Sequence, residues 1–387
     1  MVKMKSADEF RIDGQKMDFH AERVGRWLES GGKWEKAKDI YPIYVEVTPT
    51  GGCNHRCTFC SVAFTGYDAR NRLNTGIFSE RLNEMAELGV KSVMYAGEGE
   101  PLLHRDIVLL TNRAKMAGID VAFTSNAVLM NQRFVEGCLH NVSWFKASVN
   151  AGNAKTYAEV HKTKETDFEK VMQNLKFAAE YKRANNLDTA IGAQLVPLPE
   201  IEGMPGNVHS VEELVVRARD ELGLDYVVIK PYTIAPKNDP LGYDRMNYVP
   251  LLEQMVELSK KHSREEFKVI SRVDPTENLM IGKMTYPKCL ATPFFWAYVM
   301  GNGDVYSCST YMLDDRFNLG NIHQKKFKEI WEGEKRKQNL EYVLHELDIS
   351  ECKLTCRMDR VNKYLNGLNP KSPPVQPQGT IPHINFI

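Results

Sequence analysis

Short apolar runs alternate with amphipathic stretches along most of this chain. Ile43 to Val47 is the first run, and Val90–Ala96, Ile119–Thr124, Trp144–Asn150, Thr189–Val196 and Tyr226–Lys230 follow. Runs this short, rich in β-branched and aromatic residues and bounded by turn residues, read as strands buried on both faces. The stretches between them read as helices. Ser79 and Gly89 bracket one, as N-cap and C-cap, and Gly118 closes a second. A third runs from Asp167 and places Val171, Leu175 and Ala178 on one face, while the capping-box pattern Ser210-x-x-Glu213 opens a fourth that ends at Gly223. Strand–helix units repeated from 41 to 235 predict an α/β fold with a parallel sheet and right-handed crossovers. The expected form is a partial (β/α)6 barrel, TIM-like, with reactive groups at the carboxyl ends of its strands. A doubly wound sheet is compatible with the same pattern.

The flanking regions differ in character. Residues 1–40 form a helical extension, in which 15–38 read as a charged helix carrying Phe19, Val24 and Trp27. Residues 236–284 read as a connector with one helix near 249–261. In 285–368 the pattern Phe294–Met300, Gly301-Asn302-Gly303-Asp304, Val305–Cys308 signals a β-hairpin. Residues 369–387 are a tail whose Pro370, Pro373, Pro374 and Pro377 exclude regular helix or central strand. Its apolar end, Ile384-Asn385-Phe386-Ile387, is expected to dock on the fold.

Composition narrows the function classes. Of 387 residues 43% are hydrophobic and 26% charged, as in ordinary globular proteins, and the formal net charge is zero. That balance argues against a nucleic-acid partner. No run approaches the ~20 apolar residues of a membrane span, so no membrane partner is expected. The N-terminal residues lack a signal peptide's apolar core. Eight cysteines in a chain this long do not form a small disulfide scaffold; reduced thiols and a cytoplasmic location fit them better.

Seven of those cysteines fall into two groups. Cys53-x3-Cys57-x2-Cys60 follows the first strand, where three thiolates on a short loop suit three irons of a [4Fe–4S] cube and leave the fourth iron open. Cys289, Cys308, Cys352 and Cys356 lie around and beyond the hairpin, where four thiolates complete one cluster. Zinc is the alternative for both groups. At the first, His55 is too close to its neighbours in sequence to serve readily as a fourth ligand. Cys138 is left over, and its expected state is a buried free thiol.

Cys-x3-Cys-x-aromatic-Cys, with Phe59 in the aromatic slot, resembles the radical S-adenosylmethionine (SAM) superfamily. The resemblance implies that the open iron is chelated by the amino and carboxylate groups of SAM. One electron then cleaves the sulfonium, and the resulting 5′-deoxyadenosyl radical abstracts a substrate hydrogen. Gly97-Glu98-Gly99-Glu100-Pro101 is similar to the superfamily's Gly-Gly-Glu-Pro segment, with Glu98 standing where a glycine is usual. The resemblance carries Gly99 and Glu100 over as SAM contacts, Glu100 toward the amino group, and Ser148 and Asn150 toward the ribose. Gln194 and the segment Thr124-Ser125-Asn126 are placed to face the cofactor or satisfy the barrel rim. Cys289, Gly303-x4-Cys308, Leu319-Gly320-Asn321-Ile322 and Ile330-Trp331 resemble the Twitch form of the SPASM extension, which implies a single auxiliary [4Fe–4S] cluster. SAM, two clusters and an electron donor such as flavodoxin or ferredoxin are therefore expected.

The substrate is less legible. Twitch proteins similar to this chain include cyclitol dehydrogenases, so the leading expectation is oxidation of a polar small molecule: a sugar, cyclitol or nucleotide sugar. The auxiliary cluster would accept the second electron. Lys230, Tyr232, Arg272 and Asp274 are the candidate base or substrate contacts. Redox-neutral epimerisation, dehydration or rearrangement is a second reading. Peptide maturation ranks third, because the segment before the first strand looks too short and too helical for a leader-binding sheet. A non-catalytic cluster carrier is disfavoured, since a carrier needs no Glu100.

Overall fold

The computed structural model describes residue 10 and residues 15–201, 203–232, 248–370 and 374–387. One ten-stranded sheet organises the chain, in the order β10-β9-β8-β1-β2-β3-β4-β5-β6-β7. Its strands are β1 (Tyr44–Val47), β2 (Ser92–Tyr95), β3 (Asp120–Ser125), β4 (Val142–Ser148), β5 (Ala190–Leu195), β6 (Tyr226–Ile229), β7 (Lys268–Ser271), β8 (Trp296–Val299), β9 (Asp304–Tyr306) and β10 (Asn318–Asn321). β1 to β7 are parallel in chain order, and β8 returns to lie parallel to β1 on its other side. β9 and β10 extend that side antiparallel. Because β7 and β10 are the two edges, the barrel is not closed.

Alternation along each strand builds two apolar layers. Val45, Val47, Val93, Tyr95, Val121, Phe123, Phe145 and Ile191 pack outward in one core with helix residues such as Phe78, Leu110 and Val171. Tyr44, Met94, Ala122, Trp144, Tyr226, Val228, Ile270, Trp296 and Tyr298 belong to the inner layer. Polar residues above that layer line the lumen.

The six expected strands are present, four of them shorter than the apolar run and two, β3 and β4, of the same length but shifted by one or two residues, and the hairpin forms with Tyr298 opposite Tyr306 and Val299 opposite Val305. Several local expectations fail for identifiable reasons. A seventh parallel strand, β7, lies in the stretch read as connector; four residues ending in Lys268 and Ser271 give too weak an apolar signal. The helix assigned to Ser79 starts earlier, at Thr75, with Asn74 accepting from the Ile77 N–H at 3.1 Å; Ser79 sits inside it, donating to the Thr75 carbonyl. Ser210 and Glu213 form no capping box. Ser210 accepts from Gly152 N–H and Glu213 from the Asn153 amide, so both hold the loop after β4. An extra helix, Ala154–His161, precedes the expected one, which runs Glu165–Ala184.

The tail docks at the amino ends of β1 to β4. Phe386 sits edge-on to Tyr44 and Trp144, Ser92 donates to the Asn385 carbonyl, and the Asn385 amide donates to Asp120. Lys16, from the N-terminal extension, donates to the Phe386 carbonyl at 2.7 Å. Extension and tail thus fill the base of the barrel, opposite the end that carries the cysteine loop.

Candidate active site between two cysteine groups

A cavity of about 370 Å³ lies at the carboxyl ends of the strands. Cys53, Cys57 and Cys60 line one side of it, and Cys308 and Cys356 the other. Cys289 and Cys352 are not part of the lining. Within the cavity lining the structure brings together Phe59, Gly99, Glu100, Ser148, Asn150, Gln194, Lys230, Tyr232 and Arg272. Asp274 is in the helix Val273–Ile281, and its side chain lies outside the described residues.

The loop after β1 is held by close backbone packing. A Cβ on Gly99 would stand 2.1 Å from the Thr50 carbonyl oxygen and 2.4 Å from that of Gly52, so only glycine lets the two loops meet. The Glu100 N–H donates to the Gly52 carbonyl at 2.8 Å. The Glu100 carboxylate, 2% exposed, accepts from Ser125 Oγ and Asn126 N–H, both at 2.7 Å, and from Leu102 N–H at 3.0 Å. Burial raises its pKa while those three donors pull it back. Glu100 therefore fixes the ends of β2 and β3 as well as facing the cavity. Glu98 does not line the cavity; its carboxylate accepts from Gly301 N–H in the β8–β9 turn at 3.1 Å. The departure from the glycine-rich pattern is thus a tether between the two halves of the site, and burial raises this carboxyl to about 7.

Two histidines join the first cysteine group. His55, Cys57 and His161 present ligand atoms within 4.8 Å of one another. His161 Nε2–H donates to the Val149 carbonyl at 2.9 Å, so Nδ1, 3.0 Å from Cys57 Sγ, accepts from the thiol. Burial holds His161 neutral, with a pKa of about 3. The sequence reading set His55 aside and missed His161, which lies 104 residues from Cys57 on the unexpected helix; no spacing signal connects them. Burial raises Cys53 to about 11 and Cys57 well above the ordinary thiol value, so these are protonated thiols until a metal claims their protons.

Ser148 and Gln194 are register partners on β4 and β5. Gln194 Oε1 is buried with no hydrogen-bond partner among the described residues. Asn150 takes a left-handed φ of 56°, which Asn tolerates, and accepts from the Val196 N–H at 2.9 Å. An orphaned acceptor beside a hydroxyl fits the hydroxyl groups of a bound nucleoside.

The second group is set in side chains that hold sulfur. Thr292 Oγ1 is 3.3 Å from Cys289 Sγ, Asn362 donates to Cys289 at 3.7 Å, and the Tyr311 hydroxyl is 3.3 Å from Cys352. Asn362, fully buried, also accepts from the N–H groups of Leu290 and Ala291. Burial pushes Cys308 up to about 12. Among the described residues no three of the seven thiols lie within 4.8 Å of one another. All eight cysteines are free, and Cys138 is buried.

Three thiols at the mouth of an open parallel barrel and two of a second group of four line one half-enclosed cavity. Residues 47–197 match the radical SAM superfamily, and residues 289–357 match the iron–sulfur cluster-binding SPASM domain. The chain belongs to the radical SAM superfamily and carries a C-terminal SPASM module, so its cofactors are SAM and two [4Fe–4S] clusters. It is 32% identical over 92 residues to a GTP 3′,8-cyclase of Clostridium acetobutylicum, covering 23% of this chain and 29% of that protein. It is 23% identical over 239 residues to a PqqA peptide cyclase of Bradyrhizobium diazoefficiens, covering 53% and 63%. These alignments span less than two thirds of each relative. The crystal structure of Streptococcus suis SuiB bound to precursor peptide SuiA shares the fold, with a TM-score of 0.59 at 17% identity over 76% of this chain and 65% of that one. No helix among the described residues is long and apolar enough to cross a membrane.

Proposed function

We propose that this radical SAM enzyme oxidises a polar small molecule held in the cavity between the two cysteine groups. The observation that carries the reading is that one cavity is lined by both groups, with Lys230, Tyr232 and Arg272 between them. When bound, SAM and the first cluster supply hydrogen-atom abstraction at one wall, and the auxiliary cluster supplies an electron acceptor at the other. Cys53, Cys57 and Cys60 would hold the first cluster, and Cys289, Cys308, Cys352 and Cys356 the second. Glu100, Ser148, Asn150 and Gln194 would orient SAM, with Gly99 admitting the loop that carries the cysteines. Phe59 packs against the cluster of Val160, Val196, Leu198 and Tyr232 and lies edge-on to His161. Lys230, Tyr232, Arg272 and Asp274 would hold the substrate and receive its hydroxyl proton. A cytoplasmic setting with a flavodoxin- or ferredoxin-type donor suits the reduced thiols.

The test is an anaerobic assay of reconstituted enzyme with SAM, reductant and a panel of polyols and nucleotide sugars deuterated at carbinol carbons. The proposal predicts deuterium in 5′-deoxyadenosine and a product two mass units lighter than unlabelled substrate. A product of unchanged mass would move the chain to redox-neutral chemistry. Turnover of peptides alone would favour the maturase reading, which the likeness to a PqqA peptide cyclase supports.

A further inference from the structure

Five cationic side chains line the cavity: Lys146 on β4, Lys230 after β6, Arg272 after β7, and Lys353 and Arg357 beside the auxiliary cysteines. Its acidic side chains among the described residues are two, Glu46 and Glu100. Glu46 attracts both lysines at longer range, but neither carboxylate pairs with them directly. The Glu100 carboxylate is taken up by Ser125, Asn126 and Leu102. Glu46, 7% exposed, pairs with Arg357 Nε at 2.5 Å and accepts from the Tyr44 hydroxyl at 3.1 Å. No acidic group lies within ion-pair distance of Lys146 or Lys230 among the described residues.

These cations also repel one another. Lys146 stands within electrostatic reach of Lys230, Arg357 and Arg272, and Lys230 within reach of Arg272, Lys353 and Arg357. Burial and this repulsion push Lys230 down to about 7 and Lys146 well below the ordinary lysine value. Holding Lys146 and Lys230 without an acidic side chain in ion-pair distance, among the described residues, in a half-enclosed cavity is unfavourable unless something anionic arrives to meet them. Lys353 has another role open to it, since it sits near Cys308 and Cys356 and offsets the charge of a four-thiolate cluster. Lys146 and Lys230 come from barrel strands and not from the cysteine-bearing loops.

We propose that this wall of the cavity is an anion site that holds the phosphate groups of a phosphorylated small-molecule substrate through Lys146, Lys230 and Arg357. The inference rests on the reading of the cavity as the substrate site. Arg357 is placed to contribute because Glu46 engages its Nε and Tyr44 one terminal nitrogen, leaving further donors of the planar guanidinium. With Glu46 already offsetting Arg357, two lysine charges remain, more than one carboxylate neutralises, whereas a diphosphate offers several acceptor oxygens and enough charge to meet them. An acidic peptide would bring single carboxylates on separate side chains, a poorer match to cations drawn from one compact wall. Lys230 then works as a cation, and the hydroxyl proton goes to another group.

Isothermal titration of inorganic diphosphate into the reconstituted, SAM-free holoenzyme tests this directly. The wild type should bind diphosphate. Lys146→Gln with Lys230→Gln should weaken that binding at least tenfold at unchanged iron content, and Lys146→Arg with Lys230→Arg should retain it. Absence of diphosphate binding by the wild type, or equal binding by the glutamine variant, would overturn the anion site. So would loss of auxiliary iron in the glutamine variant with diphosphate affinity intact, which would assign the lysines to the cluster. Oxidation of an unphosphorylated sugar or cyclitol that diphosphate fails to inhibit would remove this inference and leave the proposed function standing. Diphosphate binding without turnover of any small molecule would do the reverse.

Discussion

The two cysteine groups face one cavity but are built differently. The first is a single loop of eight residues, Cys53 to Cys60, pinned from below by glycines and by Glu100. The second draws Cys289, Cys308, Cys352 and Cys356 from three separate segments and surrounds them with Thr292, Tyr311 and Asn362. By ligand count the first group would leave an iron free, while the second would close its cluster, with Thr292, Tyr311 and Asn362 within hydrogen-bond reach of its sulfurs. The difference teaches that ligand number sets the kind of chemistry available, and the surrounding shell sets how each cluster is tuned.

The largest expected effect isolates the first site. Gly99→Ala drives a methyl group into the Thr50 and Gly52 carbonyls, so the cysteine loop must shift. SAM cleavage should fall more than about tenfold, as misplacement of a reacting centre by ~1 Å costs that much or more. EPR of the auxiliary cluster should be unchanged. Asn362→Ala is the counterpart at the second site. It strands the Leu290 and Ala291 N–H groups in the core, at a cost of about 1–3 kcal/mol each, and should lower the melting temperature and auxiliary iron while SAM cleavage persists.

Glu98 joins the two sites, and its effect is smaller and pH-dependent. A carboxyl raised from 4.5 to about 7 in the folded state favours folding most below the lower value. That advantage is lost as pH rises through about 7. Glu98→Gln keeps an acceptor for Gly301 and carries no charge. Its melting temperature should exceed the wild type's above pH 7, by on the order of 1–3 kcal/mol in stability, and converge with it near pH 4.5. Thermal denaturation across that range measures the difference. Smallest of all, Tyr311→Phe removes the hydroxyl near Cys352 and should lower the auxiliary cluster's reduction potential without loss of iron, read by EPR-monitored redox titration.

What the sequence revealed follows the same division between local and long-range signals. Cys53, Cys57 and Cys60 announce themselves because they sit on one short stretch, and the six expected strands because each lies in a mainly apolar run bounded by turn residues. β7 escaped notice because Lys268 and Ser271 leave only Val269 and Ile270 as its apolar residues. The Ser210 and Glu213 pattern misled because tertiary partners, Gly152 and Asn153, claimed the side chains that would have capped the helix. His161 and Lys146 were invisible for a related reason. His161 arrives on the unexpected helix Ala154–His161, and Lys146, though two residues before Ser148 on β4, carries no spacing that points to the cysteine loop.

The most direct test of two clusters with divided roles compares iron content and SAM cleavage in two multiple variants. Cys289, Cys308, Cys352 and Cys356 all changed to alanine should leave about four of roughly eight irons, in line with four per cubane, and retain SAM cleavage. The same change at Cys53, Cys57 and Cys60 should also leave about four irons but abolish cleavage. Four irons in the wild type with zinc at the second site, or cleavage lost equally in both variants, would contradict the account.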